Sequence, residues 1–546
     1  MAYQFADLME HTVDLIGDRP ALVCLDERRT FAELDARTNQ LAHHLQARGF
    51  GAGDHIGIYG LNSLAWVETM VAAFKIRAVP VNINFRYVEE ELRYLFGNAD
   101  LKGVAFDASY ASRIAAVRDD LPMLEHLLAI DDGADHADAD ALGAAWFEDA
   151  VAEGSPERDF GPRSADDIVM IYTGGTTGMP KGVMWRHEDI FYALAGGIDP
   201  FTREPVTDEW EQSKKAAAAS GGLVFFNLPP LMHGAAFVAT NMNLFQGNVS
   251  VLTPRFEPAE VWRTIERDRI NSVLIVGDAM GRPMIEALTD MEAAGEELDL
   301  SSLISVSSSA AVFSPSVKDR FLERFPNLVI TDSIGATESG FNGLITVGKG
   351  NTAMKGGGPT VSPGRDTVVL DDELRPVEPG SGVVGRVARG GNLPVGYYKD
   401  EKKTAETFVT GADGRRYSIP GDYATVEPDG TITLLGRGSV CINTGGEKVY
   451  PEEVEQALKA HPKVFDAIVV GVTDERWGQK VAAVVQARSG EEPSLDELDA
   501  HCRSAVAGYK VPRELHLVDE IQRSPSGKPD YPWAKKLAEG GANTSD

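Results

Sequence analysis

The stretch DIVMIYTGGTTGMPKGV (167–183) decides how the rest of the chain is read. An apolar run, Ile168 to Ile171, has the length and composition of a buried strand. It breaks into a segment with four glycines, three threonines and one lysine between Thr173 and Val183. Glycine allows positive φ and close backbone approach, hydroxyl and N–H groups donate hydrogen bonds, and Lys181 adds a point charge. Thr173, Gly174, Gly175, Thr176, Thr177, Gly178 and Lys181 together suit phosphate oxygens. The Walker pattern is not met, because Pro180 precedes Lys181 and Gly182 follows it. In isolation the same residues would serve as a tight turn.

Working outward, the first third alternates helix and strand signals. Thr30 to Glu33 read as a capping box, with Phe31, Leu34, Leu41 and Leu45 at helical spacing behind it. HIGIYG (55–60) and VPVNIN (79–84) read as short buried strands with a helix between them. Strands separated by helices imply parallel pairing with right-handed crossovers, hence layered α/β sheets. SVLIVGDAM (272–280) and NLVITDSIG (327–335) repeat the theme, each expected to end a strand in a turn. From about residue 360 the pattern shifts to short strands with Gly, Pro and Asp-Gly turns, an antiparallel, barrel-like part. After Arg437 a compact α+β pattern takes over, with Pro451 opening one helix and Ser494 to Glu497 capping another. The expected division is a large N-terminal α/β body, 1–436 with its barrel-like part at about 360–436, followed by a small C-terminal domain, 437–546.

Composition sets outer limits. The chain of 546 residues carries net charge −30, so no general excess of Lys and Arg exists to bind nucleic acid or an anionic membrane. Three distant cysteines, Cys24, Cys441 and Cys502, form no CxxC pair, which points to a reducing, cytoplasmic setting. No basic region followed by an apolar core opens the chain, and its most apolar stretch (222–245) is too polar and broken for a membrane span.

The phosphate-type loop is followed in order by PPLMHG (229–234), DSIGATES (332–339), PGDYA (420–424), GRGSVCINTGGEKVYPEEVE (436–455) and RSPSGKPD (523–530). This set resembles the adenylate-forming superfamily of acyl-CoA synthetases, luciferases and nonribosomal adenylation domains, over about residues 20–535. The longer segments, with GYYKDEKKTAETF (396–408), are most similar to actinobacterial steroid side-chain and fatty-acyl-CoA synthetases.

The resemblance implies ATP, Mg2+ and coenzyme A as cosubstrates and cofactor, and assigns roles by position. Thr173 to Lys181 would cradle the β- and γ-phosphates. Thr337 would meet the α-phosphate and Glu338 the magnesium, a hard cation that takes carboxylate oxygen. Ser309, Ala310, Ala311, Asp332 and Ser333 would line the adenine site, and Asp422 with Arg437 would hold the ribose. Lys528, by itself an ordinary solvated lysine, would reach in to stabilise the adenylation transition state. The C-terminal domain would then turn about a hinge near Gly438 and Ser439, bringing Gly445, Gly446, Glu447 and Lys448 to the pantetheine tunnel. His233, Gly234 and Ala235 would border the acyl pocket. Three positions depart from the family pattern: Ser439 stands at the hinge where many relatives have Asp or Lys, Gly174 replaces a usual serine, and Ile334 stands where an aromatic residue often stacks on adenine.

The expected activity is that of an acid–CoA ligase acting on a hydrophobic carboxylic acid, a steroid side-chain acid or a medium- to long-chain fatty acid. A free-standing fatty acyl-AMP ligase and a noncatalytic nucleotide-binding relative are the alternatives. No nucleic-acid partner is expected, and a homodimer is left open.

Overall fold

A computed structural model describes residues 3–173, 179–199, 204–348, 359–444, 447–474, 477–523 and 527–540. Gly174, Gly175, Thr176, Thr177, Gly178, Gly445 and Gly446 lie outside the described residues, as do the side chains of Arg437, Ser439 and Lys448.

Two large sheets build the N-terminal body. One has eight strands, and its parallel core runs Ile168–Thr173, Val79–Ile83, His55–Tyr59, Leu101–Asp107 and His126–Ile130 in space. The other starts from a parallel set that includes Val249–Leu252, Val224–Asn227, Ser272–Ile275, Ser305–Ser309 and Val329–Ala336. Most of these strands are near-continuously apolar, as burial on both faces of a parallel sheet requires; Ser305–Ser309 and Val329–Ala336 are more polar. Helices Phe5–Ile16, Leu64–Lys75 and Gly234–Phe245 supply side chains to one core cluster that also takes Ile58, Ile171 and Val183 from the first sheet and Leu22 and Leu252 from the second. The capping box at Thr30 forms as expected, with the Glu33 amide donating to Thr30 Oγ1 at 3.2 Å and the Thr30 amide donating back to Glu33 at 2.8 Å.

Two features extend the sequence reading. Val329–Ala336 ends in a turn, as expected, and the chain returns as Gly340–Val347, so Thr337, Glu338 and Ser339 form the tip of a hairpin. The barrel-like part is joined to the same sheet. Thr360–Pro363 pairs with both Gly340–Val347 and Ile432–Arg437, which joins the antiparallel strands to the second large sheet. Hydrophobic patterning marks each strand, but only the pairing partners reveal which sheet it joins.

The C-terminal part has its own five-stranded sheet, from Ile442–Thr444 to Glu514–Val518. Its long hairpin, Val464–Asp474 against Gly478–Ala487, packs on helix Pro451–Lys459 over a core of Val454, Leu458, Val469 and Val485. This mixed α/β organisation, a large body with a small C-terminal domain, is the expected fold class. No helix among the described residues is long and apolar enough to cross a membrane.

Candidate active site

Topology gathers the site at the strand ends. Thr173 closes Ile168–Thr173, and Lys181 opens Lys181–Arg186 directly opposite it in the antiparallel register. Strand Gly396–Tyr397 pairs on the far side of Lys181–Arg186, matching Gly396 with Met184 and Tyr397 with Val183. Just beyond it, Asp400 forms an ion pair with Lys181.

The same short strand reaches the Thr337–Glu338 hairpin tip. Tyr397 donates its hydroxyl to Glu338 Oε1 at 3.0 Å, and Ser418 Oγ donates to the Glu338 carbonyl at 2.6 Å. Trp185, fully buried in Lys181–Arg186, donates its indole N–H to the Thr337 carbonyl at 2.9 Å. Phosphate-side and metal-side candidates are therefore bound to one framework, although 155 residues lie between Lys181 and Thr337 in the chain.

Helix Gly234–Phe245 brings the acyl-side residues. A Cβ on Gly234 would sit 3.5 Å from Thr337 Oγ1, which puts the PPLMHG turn against the hairpin tip. Asn82 fixes that turn: its amide donates to the carbonyls of Met232 and, at 3.1 Å, Tyr172, and its Oδ1 accepts the Tyr172 amide at 2.8 Å. No motif marked Asn82, because its partners lie 90 and 150 residues away. His233 precedes this helix. Burial pushes its imidazole down to about 3, with Lys528 and Arg86 adding to the effect. A neutral His233 has no acid–base duty near neutral pH. His233→Gln is expected to leave the shape of the pH–rate profile between about pH 5.5 and 8 unchanged; loss of a limb near pH 6.5 would contradict it.

Lys528 comes from the C-terminal domain, immediately after Gly527. Gly527, at φ +73°, is packed so that a Cβ would lie 2.9 Å from Val276 Cγ1, beside the start of helix Gly277–Ala293. Arg523 anchors the loop. Its Nη1 donates to the Gly527 carbonyl at 2.9 Å, while Nε and Nη2 grip Asp466 at 2.7–2.9 Å. Lys459 also meets Asp466 at 3.2 Å. Burial alone would raise the Asp466 carboxyl, yet these two cations hold it at about 2. Its stabilisation is full above the unfolded value of about 4 and is lost as pH falls toward about 2. Asp466→Asn leaves Arg523 and Lys459 buried without their counter-charge, an expected cost of about 3 kcal/mol. Thermal unfolding at neutral pH should show this loss, and the gap to wild type should narrow on acidification.

Other contacts seat the domain. Arg488 donates to Glu286 at 3.0 Å, Arg320 meets the same carboxylate at 3.3 Å, and the Arg282 and Arg488 guanidinium groups each lie 5.9 Å from the Phe465 ring centre. Arg488 and Glu286 keep 35% and 27% of their side-chain exposure, so the pair is weak enough to release.

The nucleoside-side residues are also brought together. Ser309 and Ser333 are paired neighbours in adjacent parallel strands, and Ala310 adopts φ +70° immediately after. Ser333 Oγ donates to the Ser308 carbonyl at 3.1 Å. The Asp332 carboxylate, in contrast, is committed to Lys318 at 2.8 Å, both side chains being almost wholly buried. Ile334 packs toward the barrel-side cluster of Val361, Val369 and Val387. Asp422 stands opposite Arg437 in register, and Gly436 between Leu434 and Arg437 takes φ +124°, a conformation that favours glycine. Glu447 is exposed on the hairpin of the C-terminal sheet.

The chain matches the AMP-binding enzyme model over residues 9–398 and the AMP-binding enzyme C-terminal domain over residues 453–528. It is 55% identical over 539 residues to the medium/long-chain-fatty-acid–CoA/3-oxocholest-4-en-26-oate–CoA ligase of Mycobacterium tuberculosis, covering 99% of this chain and 97% of that protein. The 3-oxocholest-4-en-26-oate–CoA ligase of Rhodococcus rhodochrous is 54% identical over 98% of this chain and 96% of its own length. The fold is similar to that of the anthranilate CoA ligase AuaEII in complex with anthranoyl-AMP, at TM-score 0.83 and 23% identity over 98% of each chain. With this sequence match across both domains, the chain belongs to the AMP-binding enzyme family.

Proposed function

We propose that this protein is an ATP-dependent acid–CoA ligase that activates a bulky hydrophobic carboxylate, a steroid side-chain acid or a medium- to long-chain fatty acid. The observation that carries the reading is the joining of the strand that Lys181 opens to the Thr337–Glu338 tip, through Trp185 and Tyr397, with the His233–Gly234 turn packed against that tip. The relatives named for fatty-acid and 3-oxocholest-4-en-26-oate ligation give its substrate class.

In the first half-reaction a substrate carboxylate oxygen attacks the α-phosphorus of ATP and pyrophosphate departs. The carboxylate is already ionised near neutral pH, so no general base is required. Charge grows on phosphoryl oxygens, and the catalytic demand is for placed cations and donors. Lys181 would bind the β- and γ-phosphates with Thr173, and Lys528 would meet the charge developing at the α-phosphate. Thr337 would donate to the α-phosphate.

Glu338 fits a magnesium site of the substrate-shared kind. Among the described residues no group of three or more His, Cys, Asp or Glu side chains is clustered for a metal, so one carboxylate would share the ion with phosphate oxygens and water, as magnesium prefers. Tyr397 orients that carboxylate. Magnesium, when bound, would neutralise phosphate charge. Asp422 and Arg437 would hold the ribose, and the strand ends at Ser309–Ala311 and Asp332–Ser333 would border adenine, Asp332 through its backbone.

In the second half-reaction the thiol of coenzyme A attacks the adenylate carbonyl and AMP leaves. The C-terminal domain, 437–546 in this reading, would turn about Gly438–Ser439, withdrawing Lys528 and presenting the Gly445–Lys448 loop. A cytoplasmic location belongs to the same reading, and light scattering tests for a homodimer.

The test is pyrophosphate release and thioester formation over a panel of steroid and fatty acids. Adenylate without thioester for every acid would instead identify an acyl-AMP ligase; no nucleotide turnover would leave a binding protein.

A further inference from the structure

Asp400 has no part in the chemistry above, yet it holds the lysine that the phosphates need. Its placement is set by backbone. The Val395 amide donates to the Met184 carbonyl and the Tyr398 amide to the Gly182 carbonyl, each at 2.8 Å, strapping the segment along the strand that Lys181 opens. Thr404 Oγ1 then ties the turn, donating to the Asp400 carbonyl at 2.8 Å and accepting from the Tyr397 amide at 2.9 Å.

The two oxygens of Asp400 do different work. Oδ1 accepts the Lys403 amide at 2.8 Å and caps helix Glu401–Thr407, while Oδ2 takes Lys181. The lysine can therefore leave without uncapping the helix or stranding a carboxylate away from its donor. The pair is also accessible: Lys181 keeps 39% and Asp400 26% of their side-chain exposure. An ion pair this open is worth little net energy, and a polyphosphate offers Lys181 more negative charge than one carboxylate does.

We propose that Asp400 is an exchangeable counter-ion for Lys181, holding the ammonium beside the phosphate loop, yielding it to the triphosphate, and taking it back as pyrophosphate leaves. Asp400 is thus a positioning residue that also tunes product release. The inference rests on the ligase reading, which brings polyphosphate to Lys181.

The alternative is a plain helix cap, and Asp400→Asn separates the two. Asparagine caps as well as aspartate but carries no charge. Isothermal titration of the full chain with ATP, pyrophosphate and AMP reads the difference without turnover. Loss of the competing charge should tighten ATP and pyrophosphate about three- to fivefold, the scale of one accessible ion pair, and leave AMP, which has no β- or γ-phosphate, unchanged. The gain should shrink with added salt. In turnover, KM for ATP should fall together with kcat, because pyrophosphate is held longer. Asp400→Ser, which also caps, should do the same. Unchanged or weaker pyrophosphate binding in both variants overturns the inference and leaves the ligase reading standing. A wild-type chain that binds neither ATP nor pyrophosphate overturns both.

Discussion

Lys528→Ala is expected to lower acyl-adenylate formation by about 10²- to 10³-fold, the scale on which one placed donor to a developing oxyanion contributes. Thioester formation from supplied acyl-adenylate should be nearly unaffected, because that step no longer builds charge on the α-phosphate. Lys528 is the group on which this separation turns. Its loop is held by Arg523, which spans the Gly527 carbonyl and Asp466, and it is seated against Val276. The alanine variant keeps that anchor, so the loop itself should stay in place. Pyrophosphate release, followed separately from CoA-thioester formation, reads the two steps. Equal loss in both would remove the transition-state role from Lys528.

Glu338→Gln should be comparably damaging and differently diagnosed. Glutamine preserves the acceptor for Tyr397 and the shape of the hairpin tip, but removes the carboxylate charge that suits a hard cation. Adenylation is expected to fall about 10²-fold or more, with half-saturating Mg2+ moved to higher concentration. Backbone anchors through Trp185 and Ser418 are untouched, so folding should be retained. A magnesium titration of pyrophosphate release checks this. An unchanged half-saturation point, at an unchanged rate, would mean that the carboxylate binds no metal.

Net charge acquires its meaning from these local groups. At −30 the chain has no overall excess of positive charge to attract polyanions, yet ATP and coenzyme A are the cosubstrates of the proposed reaction. Lys181 and Lys528 need only a site in which neighbouring side chains set their positions. Asp400 and the Arg523–Asp466 clamp supply that placement. Short-range geometry outweighs a screened global field.

Much of the architecture was legible in the chain itself. The capping boxes at Thr30 and Ser494 and Pro451 at a helix start all lie where sequence pattern put them. Each depends on interactions within a few residues. The assignment of Gly340–Val347 and Thr360–Pro363 to the second large sheet was not legible, since strand periodicity is the same whichever sheet a strand joins. The candidate site divides in the same way. Lys181 stands in a Gly/Thr loop that its composition singles out, while Glu338 and Lys528 are candidates through the family resemblance of their motifs. The supports of all three leave no mark in the sequence.

By itself, then, the sequence determined the α/β class and the succession of a large body and a small C-terminal domain. Those properties follow from backbone conformational preference, hydrophobic period and local capping, which act over short stretches. Only the tertiary structure decided that Asp400 meets Lys181 across 219 residues, that Tyr397 orients Glu338 across 59, that Asn82 joins Tyr172 to Met232, and that Arg523 braces the Lys528 loop against Asp466. The reason is physical: a hydrogen bond or ion pair between distant residues has no local period, and it exists only once sheet order and crossovers have brought its two ends together.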